Sequence, residues 1–433
     1  MNPQASELNE ILKKEGPAAY ELLSEHGKNI FFPRKGLVAQ GLDAKGRKIN
    51  ASIGEAKEDD GSPLRLSPLA ELVNLPPEDI FSYAPSFGKP DLRDVWKKKI
   101  KEKNPSLGNA VFSRPVVTNA LTHGLSVAAY LFADKNDQII LPHYYWGNYR
   151  LIFSEAYGVE LKTFETFNGD DVKAGFNIGG MKELLMSEGN KKILLLNFPN
   201  NPTGYTPDKD ELAEIIDIIK KAAEKGKKIL VITDDAYFGL VYDEKTAVES
   251  PFAFLAGLHE NIVVCKVDGA TKEDYVWGFR VGFITFAGKG LTSKALSALE
   301  DKAAGRVRGS ISNDSHLAQS LLLKAYESPD YSKEKQRAYN LLKTRFELVK
   351  NELEKHPEYE KEFKPLPFNS GYFMCVKIEN GNAEAVRQRL LEVYDTGVIA
   401  LGNLIRVAYS SLPASQISEL FANLYSACSD VSE

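Results

Sequence analysis

The chain has 433 residues, enough for two or three domains at about 150 residues each. With 43% hydrophobic and 26% charged residues it has the composition of an ordinary soluble globular protein, which excludes a disordered tail, a collagen-like repeat and a small disulfide scaffold. Lys and Arg number 54 against 59 Asp and Glu, and the formal charge of −5 gives no electrostatic reason to expect a nucleic-acid partner.

Met1 to Ala19 is polar and charged, without the apolar core or cleavage site of a signal peptide. No apolar run is long enough to cross a bilayer; Ile193-Leu194-Leu195-Leu196 is typical. Ala110 to Val117 reads as a strand and Leu121 to Phe132 as a helix, followed by strands at Gln138 to Leu141 and Lys192 to Leu196. A helix then carries Leu212, Ile215, Ile216, Ile219, Ala222 and Ala223 on one face. Thr206 is its expected cap, with Pro207 at the first position and Asp208 and Asp210 near the positive end. Ile229 to Thr233, Ile262 to Val267 and Arg280 to Phe286 are further strands. Strands alternating with helices predict an α/β fold, with a mostly parallel sheet and helices on both faces.

Beyond about Ser315 the pattern changes. Lys333 to Glu360 is a long charged segment with one apolar face. A strand at Gly371 to Val376, a helix at Ala383 to Tyr394, a strand at Leu404 to Tyr409 and a helix from Ser415 follow, which predicts a smaller α+β domain. The expected division is an N-terminal arm with part of the small domain (1–62), a large domain (63–317) and a small domain (318–433). Cys265, Cys375 and Cys428 stand far apart with no C-x-x-C pair, the pattern of reduced core thiols in a cytoplasmic protein.

In doubly wound sheets ligands gather at the carboxyl ends of the strands, so the residues that follow each strand carry the chemistry. No G-x-G-x-x-G opens a helix and no Walker loop, G-x-S-x-G or metal-ligand spacing of the six histidines is present, which counts against a dehydrogenase, an NTPase, a serine hydrolase and a metal enzyme. Instead Leu196 is followed by Asn197-Phe198-Pro199-Asn200-Asn201-Pro202-Thr203-Gly204, and Thr233 by Asp234-Asp235-Ala236-Tyr237. Val267 is followed by Asp268-Gly269-Ala270-Thr271-Lys272, with Gly278-Phe279-Arg280-Val281-Gly282 just beyond. These four segments, in this order, resemble the class I aminotransferases of fold type I, close to the aspartate and aromatic branches, from about Ile49 to the C-terminal helix.

The resemblance implies pyridoxal 5'-phosphate as cofactor, with Lys272 as its Schiff-base lysine and as the base that moves the substrate's Cα proton. Such an amine must be neutral part of the time, which burial and nearby positive charge favour. It implies that Asp234 pairs with the pyridine nitrogen, Asp235 beside it being the ordinary turn aspartate. Tyr237 and Asn201 would bind the ring's phenolic oxygen, Trp146 would stack on the ring, and Arg280 would clamp the phosphate. The phosphate also calls on the helix that Ala120-Leu121-Thr122 opens. There this sequence departs from the usual Ser-Gly-Thr, and Gly269 stands where a serine is common, so only Thr122 keeps its hydroxyl. Arg406 and the Ile53-Gly54 segment resemble the groups that hold the substrate α-carboxylate. Arg308, four residues before Ser312, resembles an arginine that binds a side-chain carboxylate, although Arg306 and Lys302 nearby fit a solvated basic turn equally well. Tyr83 resembles a tyrosine that reaches the phosphate from a neighbouring subunit, which implies a homodimer. The implied reaction moves an amino group from an L-amino acid (aspartate, glutamate or aromatic) to a 2-oxo acid by a ping-pong route. A lyase or decarboxylase on the same scaffold is the alternative, and a non-catalytic binding module, which would call for an upstream DNA-binding domain and a basic face, is not expected.

Overall fold

The computed structural model describes residues 1–15, 23, 37–52, 54–68, 75–169 and 172–432. Seven strands form its main sheet: β1 (Val116–Asn119), β2 (Gln138–Pro142), β3 (Glu160–Phe164), β4 (Lys191–Asn197), β5 (Lys228–Asp234), β6 (Ile262–Gly269) and β7 (Val281–Ala287). Their spatial order is β1-β7-β6-β5-β4-β2-β3, and β7 alone runs against its neighbours. The central strands β4 and β5 are buried at every position after the first. Helices covering both faces of a parallel sheet turn such strands into unbroken apolar runs rather than alternating ones. The α/β reading of the sequence therefore holds.

Helices α1 (Pro90–Lys103), α2 (Ala120–Phe132), α3 (Ile178–Met186) and α4 (Lys209–Glu224) accompany this sheet, and α5 (Ser293–Ser310) and α6 (His316–Glu327) follow β7. Two local expectations need correction. The strand expected from Ala110 begins only at Val116, because Pro115 has no N–H for the ladder; before it, the chain touches the sheet through a Phe112–Ala287 bridge and the bond from Ser113 N to Phe286 O (2.8 Å). The cap of α4 is Asp208, not Thr206. Asp208 accepts from the N–H groups of Asp210 and Glu211, and Glu211 reaches back to the Asp208 N–H (3.0 Å), a reciprocal box that satisfies several free donors at once. The Thr206 hydroxyl, the group that would cap, is instead paired with Ser370 Oγ (2.8 Å).

The long helix α7 (Tyr331–Lys355) stops earlier than its charged pattern suggests. His356 precedes Pro357, and a residue before proline is pushed out of helical geometry. A second sheet of four antiparallel strands follows: β8 (Phe363–Pro365), β9 (Met374–Ile378), β10 (Ile399–Leu401) and β11 (Leu404–Val407), in the order β10-β11-β9-β8. Helices α8 (Ala383–Val393) and α9 (Ile417–Ser432) complete this half. Ile49–Asn50 pairs in parallel with Thr396–Gly397, so the N-terminal segment belongs with the second sheet. The two halves meet at Gly204, whose φ of +74° and crowding leave no room for a side chain: a Cβ there would lie 1.9 Å from the Phe373 carbonyl oxygen. Asn369 and Ser370 both donate their N–H groups to the Gly204 carbonyl (2.9 Å each).

Candidate active site

The sheet topology brings the quoted segments to one edge. Asn119, Asn197, Asp234 and Gly269 end the parallel strands β1, β4, β5 and β6, and the antiparallel β7 begins at the same edge with Val281. Register fixes the neighbours: Asn197 lies opposite Asp234, Asn119 opposite Val281, and Gly269 opposite Gly282. A cavity of about 400 Å³ opens there, lined by sequence-predicted Gly54, Ala120, Leu121, Thr122, Trp146, Asn201, Asp234, Tyr237, Lys272, Arg280 and Arg406. Ser52, Asn197, Ala236, Thr271 and Phe373 line it as well. Ile53 lies outside the described residues.

Lys272 sits in a single helical turn (Ala270–Glu273) directly after β6. Its Nζ lies 5.1 Å from the centroid of the Tyr237 ring. Burial lowers its pKa; the Asp234 carboxylate opposes this and the Arg280 cation reinforces it. Asp234 is the buried counterpart. Its Oδ2 accepts from Tyr149 Oη (2.6 Å) and its Oδ1 from the Ala236 N–H (3.2 Å). Burial raises the carboxyl to about 6, against the pull of Tyr149 and Lys272. Asp235 points away from the cavity and pairs with Lys266 and Ser250 Oγ inside the core.

Three further contacts tie the loops together. Asn197 Nδ2 donates to the Asp234 carbonyl (2.8 Å) while its Oδ1 accepts from the Asn201 N–H (2.9 Å), locking the two strand ends. Arg406, on β11, is buried; its Nη1 donates to Asn201 Oδ1 and its Nη2 to the Ser52 carbonyl, both at 3.2 Å. Its guanidinium lies 4.3 Å from the Phe373 ring centroid, and its Nε has no hydrogen-bond partner among the described residues. No carboxylate among the described residues pairs with Arg406. The same holds for Arg280, which among the described residues donates from Nη1 to the Trp277 carbonyl (3.4 Å). Trp146 is half-buried, its ring edge-on to Tyr149 at 5.6 Å.

At the β1–β7 corner the backbone is unusual. Arg280, expected as the first residue of a strand, instead precedes β7 in the left-handed region (φ 57°), and Ala120 shares that φ. The Ala120 N–H donates to the Arg280 carbonyl (2.8 Å). Non-glycine residues in this region are costly and cluster at functional sites. The corner also explains the glycine at 269: a Cβ there would lie 2.7 Å from Gly282 Cα, 2.8 Å from the Val281 oxygen and 3.1 Å from Leu121 Cδ1. The Leu121 side chain occupies the space that a hydroxyl side chain at 269 would need. Gly269→Ser is therefore expected to destabilise the protein by about 1–3 kcal/mol through overpacking. Thermal unfolding checks this, and an unchanged midpoint would contradict it.

Two predicted residues lie outside this chain's cavity. Tyr83 is 90% exposed. Arg308 is exposed near the end of α5 and donates to Ser312 Oγ (2.9 Å). Sequence reading quoted Asn197 and Thr271 within its segments without giving them a role, and it missed Tyr149, Ser52 and Phe373. Of these, Tyr149 left a signal, standing three residues after Trp146 in a run of aromatic residues.

Comparison with known proteins agrees with this geometry. A family profile described as "Aminotransferase class I and II" matches residues 47–424. The chain is 26% identical over 279 residues to the probable aspartate/prephenate aminotransferase of Aquifex aeolicus, covering 64% of each chain. It is 26% identical over 247 residues to the aspartate aminotransferase of Pyrococcus abyssi, covering 56% of this chain and 58% of that protein. The matched stretches thus span less than two thirds of these relatives. Among solved structures, an aminotransferase from Anaerococcus prevotii superposes with a TM-score of 0.81 at 25% identity, over 94% of this chain and 99% of that one. The aspartate aminotransferase from Thermus thermophilus with maleate shares the fold at TM-score 0.74 and 19% identity, with the same coverage.

Proposed function

Because the chain belongs to the class I and II aminotransferase family, we propose that it is a pyridoxal phosphate-dependent aminotransferase that moves an amino group from an L-amino acid to a 2-oxo acid. One observation carries this reading. A desolvated lysine and a buried carboxylate share a cavity with two guanidinium groups, Arg280 and Arg406, that have no carboxylate partner among the described residues. Such a cavity suits a ligand set with two anionic ends and a cationic nitrogen between them, as a phosphate, a carboxylate and a protonated pyridine supply.

The residues fit the cofactor in kind. Arg280, Thr122 and the first turn of α2 would take the phosphate, Asp234 the ring nitrogen, Tyr237 and Asn201 the phenolic oxygen, Trp146 the ring face, and Lys272 the aldehyde carbon. When bound, pyridoxal phosphate supplies an electron sink for the pair left behind by the broken Cα–H bond. The protein's part is binding and proton movement. Arg406, with Ser52 and Gly54 on the cavity wall beside it, receives the α-carboxylate, since no carboxylate among the described residues already pairs with its guanidinium. Burial keeps Lys272 Nζ able to shed its proton, so it can take the one on Cα. Asn197 and Tyr149 hold Asp234 in place and keep its carboxylate oriented.

The finer parts of the reading are also proposed. The domains divide at 62/63 and 317/318. The active form is a homodimer, which would give exposed Tyr83 and Arg308 a role at the neighbouring site that they lack at their own. The three free, buried cysteines suit a cytoplasmic location. Aspartate, glutamate or an aromatic amino acid is the donor. Initial rates at varied donor and acceptor should give parallel double-reciprocal lines; ammonia or CO2 released without a 2-oxo acid would contradict transamination. Arg308→Ala should raise KM for aspartate by about 10- to 100-fold, the weight of a charge-assisted bond, and leave an aromatic donor unaffected. Equal KM values for aspartate in both proteins would make Arg308 a solvated surface residue.

A further inference from the structure

The phosphate-binding corner has few side-chain hydroxyls, and a histidine ring braces it. Asn119 occupies the cap position of α2, yet its side chain makes no capping bond to the helix. It has two other ties. Its backbone N–H donates to Nδ1 of His123 (3.1 Å), one turn into α2, and its Nδ2 donates to Asp314 Oδ1 (3.1 Å), beyond α5. The far side of the His123 ring meets α5: Nε2 lies 2.9 Å from Ser310 Oγ, which itself donates to the Arg306 carbonyl (2.8 Å).

These contacts fix the tautomer. Nδ1 accepts, so the ring proton sits on Nε2, and donors and acceptors alternate from Asn119 N–H through the ring and Ser310 Oγ to the Arg306 carbonyl. Burial, with help from the Arg306 cation, pushes the ring down to about 4, which keeps Nδ1 free to accept. The next residue, Ala120, holds the left-handed φ of 57° where the chain turns into the helix, and Ala120, Leu121 and Thr122 then line the cavity. With alanine and leucine at two of these three positions, an anion held here depends more on backbone N–H groups than on side chains. The angle of that turn then matters more.

We propose that His123 is a positioning residue for the phosphate end of the site: by accepting the Asn119 N–H it sets the Asn119–Ala120 turn that presents the first turn of α2 to the anion. The inference rests on the pyridoxal phosphate reading.

The test compares full-length wild type with His123→Ala, His123→Asn and His123→Gln. Each is titrated with pyridoxal phosphate and, separately, with pyridoxal, which lacks the phosphate, and binding is read from absorbance. An asparagine oxygen can stand where Nδ1 stands, whereas a glutamine amide reaches toward Ser310 and leaves the Asn119 N–H unpaired. His123→Ala and His123→Gln should bind pyridoxal phosphate about tenfold more weakly, the consequence of one unpaired, part-buried donor, with pyridoxal binding unchanged. His123→Asn should restore the wild-type preference for the phosphorylated form. Loss of affinity for both compounds in equal measure, unchanged affinity in His123→Ala, or rescue by glutamine rather than asparagine would overturn the proposal. If alanine prevents folding, the asparagine and glutamine variants still decide it. A wild-type protein that binds neither compound would instead overturn the cofactor reading itself.

Discussion

Lys272→Ala is expected to lower turnover by at least about a thousandfold, the weight of a positioned proton-transfer group, and to leave the fold intact. Among the described residues the side chain makes no salt bridge or hydrogen bond that the fold would lose; it lies against the Tyr237 ring, and its backbone carbonyl accepts from Tyr372 Oη at 3.2 Å. Burial also pushes its amine toward the neutral form, and the nearby Arg280 cation adds to this. Lys272→Arg separates two explanations. A guanidinium restores positive charge but cannot give up its proton in a protein, so it should be as inactive as alanine. Steady-state kinetics with thermal melts check both variants. Activity within tenfold of wild type in either would remove Lys272 from the reaction.

Asp234→Asn should cost about 100- to 1,000-fold in turnover, the range for removing one preorganised electrostatic contact. Asparagine keeps the size of the side chain and an acceptor for Tyr149 but removes the negative charge. The same substitution has a signature in the cofactor-free protein. Burial raises Asp234 to about 6 from 3.8, so between these values the native state holds a proton that the unfolded state has lost. Stability from this group is therefore greatest below about pH 4 and falls as pH rises through 6, by at most about 3 kcal/mol. Subtracting the urea stability of Asp234→Asn from that of wild type at several pH values isolates the effect. Parallel curves would mean that Asp234 is not held in the low-dielectric setting described.

Much of this site was legible because buried parallel strands announce themselves as unbroken apolar runs. The polar residues that end or directly follow those runs, Asn197, Asp234 and Lys272 among them, stand at the edge where ligands bind. What stayed hidden depends on distances between segments remote in sequence. Tyr149 donates to a carboxylate 85 residues away, and the aromatic run around Trp146 that contains it does not show that partner. Gly269 reads as a missing hydroxyl until Leu121 and Gly282 are seen to fill its space. The α4 cap was misread for a related reason. Thr206 looked like a cap from its position before Pro207, but Ser370, 164 residues away, holds its hydroxyl, and the Asp208–Glu211 box closes the helix instead.

The absorbance spectrum of the purified protein supplied with pyridoxal phosphate tests the central claim most directly, followed by the same spectrum after an amino acid and then after a 2-oxo acid. The account predicts a band from the bound cofactor that shifts when L-aspartate or an aromatic amino acid is added and returns when the 2-oxo acid follows. A protein that develops no band, or one whose band shifts with the amino acid and never returns with the acceptor, would contradict it.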